Sequence, residues 1–350
     1  MTFKILSLDG GGIRGVLSAT ILKELEKTLI EKTGKKLHEY FNLVTGTSTG
    51  SILAAAIACQ MEVDDMIKLY KDEGSNIFLK SVRCKRRLLK LTQVITSNLL
   101  YPHEKGEQGL AKVLENNLIH PDLGKNVKIS QITKPYILIP AYNVYSRNTT
   151  WFNNGYNQEN YKDVWYRDLE LWKICTASAS APTFFSPYKL PYYNKKQSIP
   201  HIDGGVSANN PALMSIAHAL FIDELELELS DIAVFSIGAG NTTSPYKYEE
   251  IKGWGQLGWA KHLPDMFMSP GTQNSEQICR QILESAGNDY LRLDFDLNEQ
   301  FKEKKRQKRK KRKNRFVRRK RSPITNTLLN TKKSIKRSAK ISTILKIVKS

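Results

Sequence analysis

Apolar residues along this chain gather in short runs that stop at glycine clusters. Phe3–Leu8 is a mostly apolar run that reads as a strand and ends at Asp9-Gly10-Gly11-Gly12, after which Val16, Ile21, Leu22, Leu25 and Leu29 recur at helical spacing. Tyr40–Thr45 repeats the arrangement, running into Gly46-Thr47-Ser48-Thr49-Gly50 and an Ala/Ile-rich helix expected over Ile52–Cys59. Two strand–turn–helix units of this kind predict a parallel sheet with helices on its faces. Further strands are expected at Pro135–Tyr142, Ile199–Ile202 and Ile232–Ile237, the last leading into Gly238-Ala239-Gly240. Helices are expected at Trp172–Ala179 and Ala212–Leu220, and a basic one over Lys80–Lys90.

Composition divides the chain in two. Of 350 residues 40% are hydrophobic, enough for a sizeable core and against a disordered or fibrous protein. The net charge of +20 is concentrated at one end: residues 302–350 hold 22 Lys and Arg against Glu303 alone, which leaves 32 basic and 33 acidic groups in the first 301. The expected organisation is a neutral globular unit over 1–301 and a basic low-complexity tail over 302–350, whose like charges repel and keep it disordered. Within the tail, Ile341, Ile344, Leu345 and Val348 have the spacing of an interfacial helix. Anionic lipid headgroups suit such a tail. Nucleic-acid phosphates are its second ligand class, although Phe316 as its single aromatic gives no platform for base stacking.

Other classes fall away. Cys59, Cys84, Cys175 and Cys279 show no CxxC or Cys/His spacing, so reduced thiols are expected rather than zinc or a disulfide framework. No apolar stretch approaches the roughly 20 residues of a spanning helix, and the first apolar run is too short for a signal peptide. A cytoplasmic protein that meets membranes peripherally is expected.

Three glycine turns carry the candidate chemistry. Gly10 to Gly15 matches GxGxxG between a strand and a helix, which suits either a dinucleotide pyrophosphate or backbone N–H groups facing an oxyanion. Gly46-Thr-Ser48-Thr-Gly50 is GxSxG, either a nucleophile elbow or an N-cap serine bounded by glycines. Asp203-Gly204-Gly205 is an ordinary turn unless a parallel sheet, which gathers carboxyl-terminal strand ends along one edge, brings its carboxylate to Ser48. None of the six histidines stands out as a proton acceptor, and Ser48 comes too early in the chain for an α/β-hydrolase order. An aspartate within hydrogen-bond reach can serve as the base instead.

Together, Asp9-Gly-Gly-Gly-Ile-Arg14-Gly15, Gly46-Thr-Ser48-Thr-Gly50 and Asp203-Gly-Gly, with ASASAPTFFSP over 177–187 and Ser236–Gly240, resemble the patatin-like phospholipase family across roughly the first 290 residues. The resemblance implies a three-layer α/β/α fold around a mainly parallel sheet. It implies a lipid acyl hydrolase of phospholipase A or lysophospholipase type that needs no metal or other cofactor. Ser48 falls at the nucleophile, Asp203 at the base, and Gly10, Gly11 and Gly12 at the oxyanion hole. Arg14 matches a basic position suited to an anionic substrate group, or packs as a structural charge against Asp9. The alternative from another class is a non-catalytic nucleotide-binding module using the GxGxxG turn. Trp254, Leu257, Trp259, Met266, Phe267 and Met268 form an aromatic and methionine cluster, expected as a lid or lipid-facing segment against the plainer reading of a core-facing helix.

Overall fold

A computed structural model describes residues 2–79, 81–82, 100–155, 164–192, 197–241 and 246–297. Outside the described residues lie the tail from 302, including its interfacial helix, most of the expected helix at Lys80–Lys90, and the side chains of Leu257, Phe267 and Met268.

Eight strands form one sheet: β1 (Phe3–Leu8), β2 (Leu43–Gly46), β3 (Tyr136–Asn143), β4 (Asn148–Asn153), β5 (Tyr188–Tyr192), β6 (Gln197–Asp203), β7 (Ile232–Ile237) and β8 (Tyr290–Leu293). The order is β5-β6-β3-β2-β1-β7-β8, with β4 paired to β3. Strands β3, β2, β1, β7 and β8 are mutually parallel, whereas β4, β5 and β6 pair antiparallel.

Alternation along the strands divides the core. Leu6, Leu8, Val44 and Ile137 pack on one face with α1 (Gly15–Thr33), α2 (Thr49–Ala58), α3 (Val63–Asp72) and α4 (Leu171–Ser178). Phe3, Ile5, Leu43 and Val234 pack on the other with α5 (Ala212–Leu220) and with Cys279 and Leu283 of α6 (Gln256–Ser285). This is the expected α/β/α arrangement. Helix α1 stops where Gly34 takes φ 72° as a left-handed cap. All ten residues of α2 are buried, as a helix apolar on every side requires.

The site depends on how β3 is shared. A strand has two edges. Leu138 pairs both with Thr45 of β2 and with Asn153 of β4, so these neighbours lie on opposite edges; Ala141 likewise pairs with Thr150 of β4 and Asp203 of β6. Strands β2 and β6 therefore occupy the same edge of β3, meeting end to end with opposed directions. Between them the edge is open for Ile139 and Pro140, about 10 Å of strand rise from Leu138 to Ala141. Pro140 has no N–H to give a ladder, and its carbonyl accepts the Ser178 hydroxyl instead (2.7 Å). The expectation that Asp203 ends a strand holds, but parallel strands do not deliver it to Ser48. An antiparallel strand pointed at the end of β2 does.

Candidate active site

Ser48 follows β2 and directly precedes α2, with φ 55° and ψ −120°. That conformation costs a non-glycine residue roughly 1–3 kcal/mol. It persists because its surroundings leave no alternative: Thr47 N–H donates to the Leu8 carbonyl (3.1 Å), and a side chain on Gly46 or Gly50 would overlap the Gly50 or Leu8 carbonyl across the bend. The Ser48 N–H donates to Ser178 Oγ (3.0 Å) and its carbonyl accepts from Ser51 Oγ (2.6 Å).

Asp203 is buried, with the Ser48 side chain close enough to act on its carboxyl. Burial pushes its carboxyl up to about 6, against the opposing influence of the Ser48 side chain and of the hydrogen bond from the Gly205 N–H (2.7 Å). The Ala177–Pro187 segment ties the two halves together. Ser178 holds the Ser48 N–H, while the Ser178 and Ser180 carbonyls accept from Gly204 N–H and Asp203 N–H, each at 3.1 Å. One short helix end thus sets both the elbow and the carboxylate.

The first glycine turn lies against the same serine. A Cβ on Gly10 would come within 3.3 Å of the Ser48 Cβ. A sequence model of the patatin-like phospholipase family matches residues 6–216, spanning all three turns. The chain belongs to the patatin-like phospholipase family. It is 28% identical over 326 residues to "Patatin-like protein 4" of Arabidopsis thaliana, covering 83% of this chain and 76% of that one. It is 31% identical over 285 residues to "Patatin-like protein 2" of the same plant (74% and 65%), and 28% identical over 254 residues to its "Probable inactive patatin-like protein 9" (69% and 61%). The chain thus spans between about three fifths and three quarters of the length of these relatives.

Two site residues of this patatin-like chain act differently from expectation. The Gly10 N–H donates to the Asn209 carbonyl (3.0 Å), so it fastens the turn to the segment after Asp203 and is not open to an oxyanion. Among the described residues no acceptor is found for the Gly11 and Gly12 N–H groups, which remain as donors. Gly12 holds φ 57°, which favours glycine. Arg14, placed by sequence at an anionic substrate group or against Asp9, donates to the carbonyls of Gly11 (3.2 Å) and Gly240 (2.8 Å). It staples the first turn to the loop after β7. The partner of Asp9 is Arg292 of β8, buried with it in a two-pronged pair of 2.6 and 3.1 Å. No local pattern could have announced Arg292, because its partner lies 283 positions away. The nucleotide-binding alternative loses its footing here: the Gly10 N–H is taken and the Arg14 side chain bridges Gly11 to Gly240.

The histidines lie elsewhere. His201 shares β6 with Asp203, yet its Nδ1–H donates to the Ile199 carbonyl (3.1 Å) and its Nε2 accepts from the Thr150 hydroxyl (3.0 Å). Burial holds it down at about 4, hence neutral at working pH. His218, likewise held at about 4 by burial, borders a cavity of about 490 Å³ with Thr149, Trp151, Tyr166, Ala217 and Phe221, none of them at Ser48. His103 and His262 bond Ser186 and Tyr246. His201→Gln is therefore expected to keep kcat on a soluble ester within a few-fold of wild type. A hundred-fold loss in a folded protein would mean that the carboxylate does not act alone.

Cys59, Cys175 and Cys279 are free and buried, and burial pushes their thiols up, to about 12 for Cys59 and Cys279. Such thiols are poor nucleophiles. The aromatic cluster expected as a lid forms the start of α6 and the loop before it. Trp254 stacks on His262 at 4.4 Å between ring centres and meets Trp259 edge-on at 5.3 Å. Among the described residues no helix is long and apolar enough to cross a membrane.

Proposed function

We propose that this chain is a lipid acyl hydrolase of phospholipase A or lysophospholipase type, working through Ser48 and Asp203 with an acyl-enzyme intermediate. The observation that carries the reading is the placement of a serine on a strained elbow beside a buried carboxylate that burial has made basic enough to accept its proton. Family membership supplies the substrate class, since patatin-like phospholipases are lipid-ester hydrolases. Ile13, Phe184 and Val206, each 40% to 47% exposed, lie within the first turn, within the Ala177–Pro187 segment and just after Asp203. Apolar side chains at that place suit a substrate drawn from a lipid aggregate, and peripheral contact with an anionic membrane belongs to the same proposal.

In the first half-reaction Ser48 Oγ attacks the ester carbonyl carbon as its proton passes to Asp203. The carbonyl π pair moves onto oxygen, where the Gly11 and Gly12 N–H groups stabilise it. The tetrahedral species collapses, the C–O bond to the alcohol breaks, and Asp203 returns the proton to the leaving oxygen. Water then attacks the acyl carbon, giving one proton to Asp203. Release of the fatty acid restores Ser48 Oγ, which takes that proton back.

Product analysis after incubation with mixed-lipid vesicles tests this directly. Wild type is expected to release free fatty acid and Ser48→Ala none. Equal release by both would end the proposal. The acid limb gives a second check. Asp203 must be ionised to accept a proton, so log kcat/KM falls below about pH 6. Asp9 is also raised by burial against the attraction of Arg292, which holds it as the ionised partner of a two-pronged pair. The limb is therefore expected to have a slope of one. A flat profile from pH 7 to 5 would remove Asp203 from the role of base.

A further inference from the structure

The glycine turn that faces Ser48 is held at both ends by one guanidinium. Arg292 is almost wholly buried, with its side chain 3% exposed. Its two terminal nitrogens grip both Asp9 oxygens, and Asp9 is bonded in sequence to Gly10. The same group donates to Ser236 Oγ (2.7 Å) and to Asp294 Oδ2 (2.9 Å), and its Nε lies 3.1 Å from Glu276. Asp294 extends the reach. It accepts from the Gly240 N–H (3.1 Å), the Phe295 N–H (2.8 Å) and Asn241 Nδ2 (2.7 Å). The Gly240 carbonyl in turn accepts from Arg14, whose other bond is to the Gly11 carbonyl.

These contacts close a ring. From Arg292 one arm runs through Asp9 to the start of the glycine turn. The other runs through Asp294, Gly240 and Arg14 to Gly11. The direction of a peptide N–H follows the two carbonyl and carboxylate anchors on either side of it, so the ring constrains where the Gly11 and Gly12 donors point. Arg292 and Asp294 lie beyond residue 216, where the match to the family model stops.

We propose that Arg292, supported by Asp294, is a positioning residue that orients the Gly11 and Gly12 N–H groups toward the oxyanion formed at Ser48. This inference rests on the hydrolase reading above. It makes β8 part of the catalytic unit rather than an edge appended to it. Lysine cannot reproduce the function, because an ammonium holds one oxygen where the planar fork holds two and reaches Asp294 besides.

The experiment compares Arg292→Lys, Asp294→Asn and Leu29→Ala with wild type on a soluble short-chain ester, recording kcat, KM and melting temperature for each. Leu29 is a fully buried residue near the end of α1 and outside the ring, so its truncation destabilises without touching the donors. Arg292→Lys is expected to lower kcat by about 10- to 100-fold with KM changed little. This is below the ~10²- to 10³-fold loss from deleting an oxyanion donor outright. Asp294→Asn, which breaks one arm of the ring in a partly exposed residue, is expected to lower kcat several-fold. Leu29→Ala is expected to lose melting temperature and keep kcat. Wild-type kcat in both Arg292→Lys and Asp294→Asn would overturn the inference alone, as would a kcat loss in Leu29→Ala that matches theirs at equal stability. A wild type that cleaves no ester would overturn the hydrolase reading and this inference with it.

Discussion

Asp203→Asn is expected to lose turnover and to gain stability at the same time. On the proposed mechanism kcat falls by about 10²- to 10⁴-fold, and that of Ser48→Ala falls further, toward ~10⁶-fold. The stability gain follows from burial. The Asp203 carboxyl is raised from 3.8 to about 6 in the folded chain. Below pH 3.8 folded and unfolded states are both protonated and the group contributes nothing to the difference between them. Between about pH 4 and 6 the folded state binds more protons than the unfolded one, so stability falls as pH rises. Above pH 6 the full cost is present, about 3 kcal/mol as an upper value for a shift of this size. Asparagine carries no charge and still offers an oxygen to the Gly205 N–H. A gain of about 1–3 kcal/mol is expected at pH 8, near 2–4 °C of melting temperature per kcal/mol for a large domain. Calorimetry at pH 8 and pH 4 checks this, with the advantage of the variant shrinking at the lower pH. A variant less stable than wild type at pH 8 would contradict the account of Asp203 as a desolvated carboxylate.

Gly50→Ala has the largest expected effect on folding. Its Cβ would overlap the Leu8 carbonyl and press on that of Asp9, both backbone groups at the end of β1 in the middle of the sheet. Neither can yield as a flexible side chain does. Helix α2 would have to lift from β1, exposing residues that are all buried. A loss of about 3 kcal/mol or more is expected, with activity lost because the Ser48 elbow opens. Gly34→Ala is the control: it has φ 72° but open space around the added methyl, and about 1 kcal/mol is expected. Denaturant unfolding of the two variants measures the difference. Equal midpoints would show that the close approach at Gly50 carries no weight.

The parts of this site that could be read from the sequence are those written locally. Strand β7 and helix α5 have the bounds that their apolar patterns mark, and Ser48 and Asp203 sit in turns whose residues announce strain or a strand end. Less local features stayed hidden. Strands β4 and β5, NTTWFN and YKLPY, mix polar residues and a proline into half-exposed segments, and four-residue β8 is too short for a period to show. An alternating pattern gives the face of each side chain but not the neighbour on each edge, so the antiparallel entry of β6 was invisible. Arg14 illustrates the limit for charged groups. A cation beside a glycine turn reads as a ligand for an anion, and only the fold reveals carbonyls of Gly11 and Gly240 at its tip. The same holds for Gly10, whose N–H has its acceptor in Asn209, far along the chain.

The end-to-end meeting of β2 and β6 along one side of β3 has a consequence for how such a chain can vary. The ends of β2 and β6, which carry Ser48 and Asp203, are spaced along β3 by Ile139 and Pro140, so those two positions act as a ruler. Adding or removing one residue there would slide the carboxylate by about 3.3 Å and turn it to the opposite face. Insertions in the 144–147 connection leave the ruler untouched. Length variation is therefore admissible around the Ser48–Asp203 pair and forbidden within one dipeptide of β3.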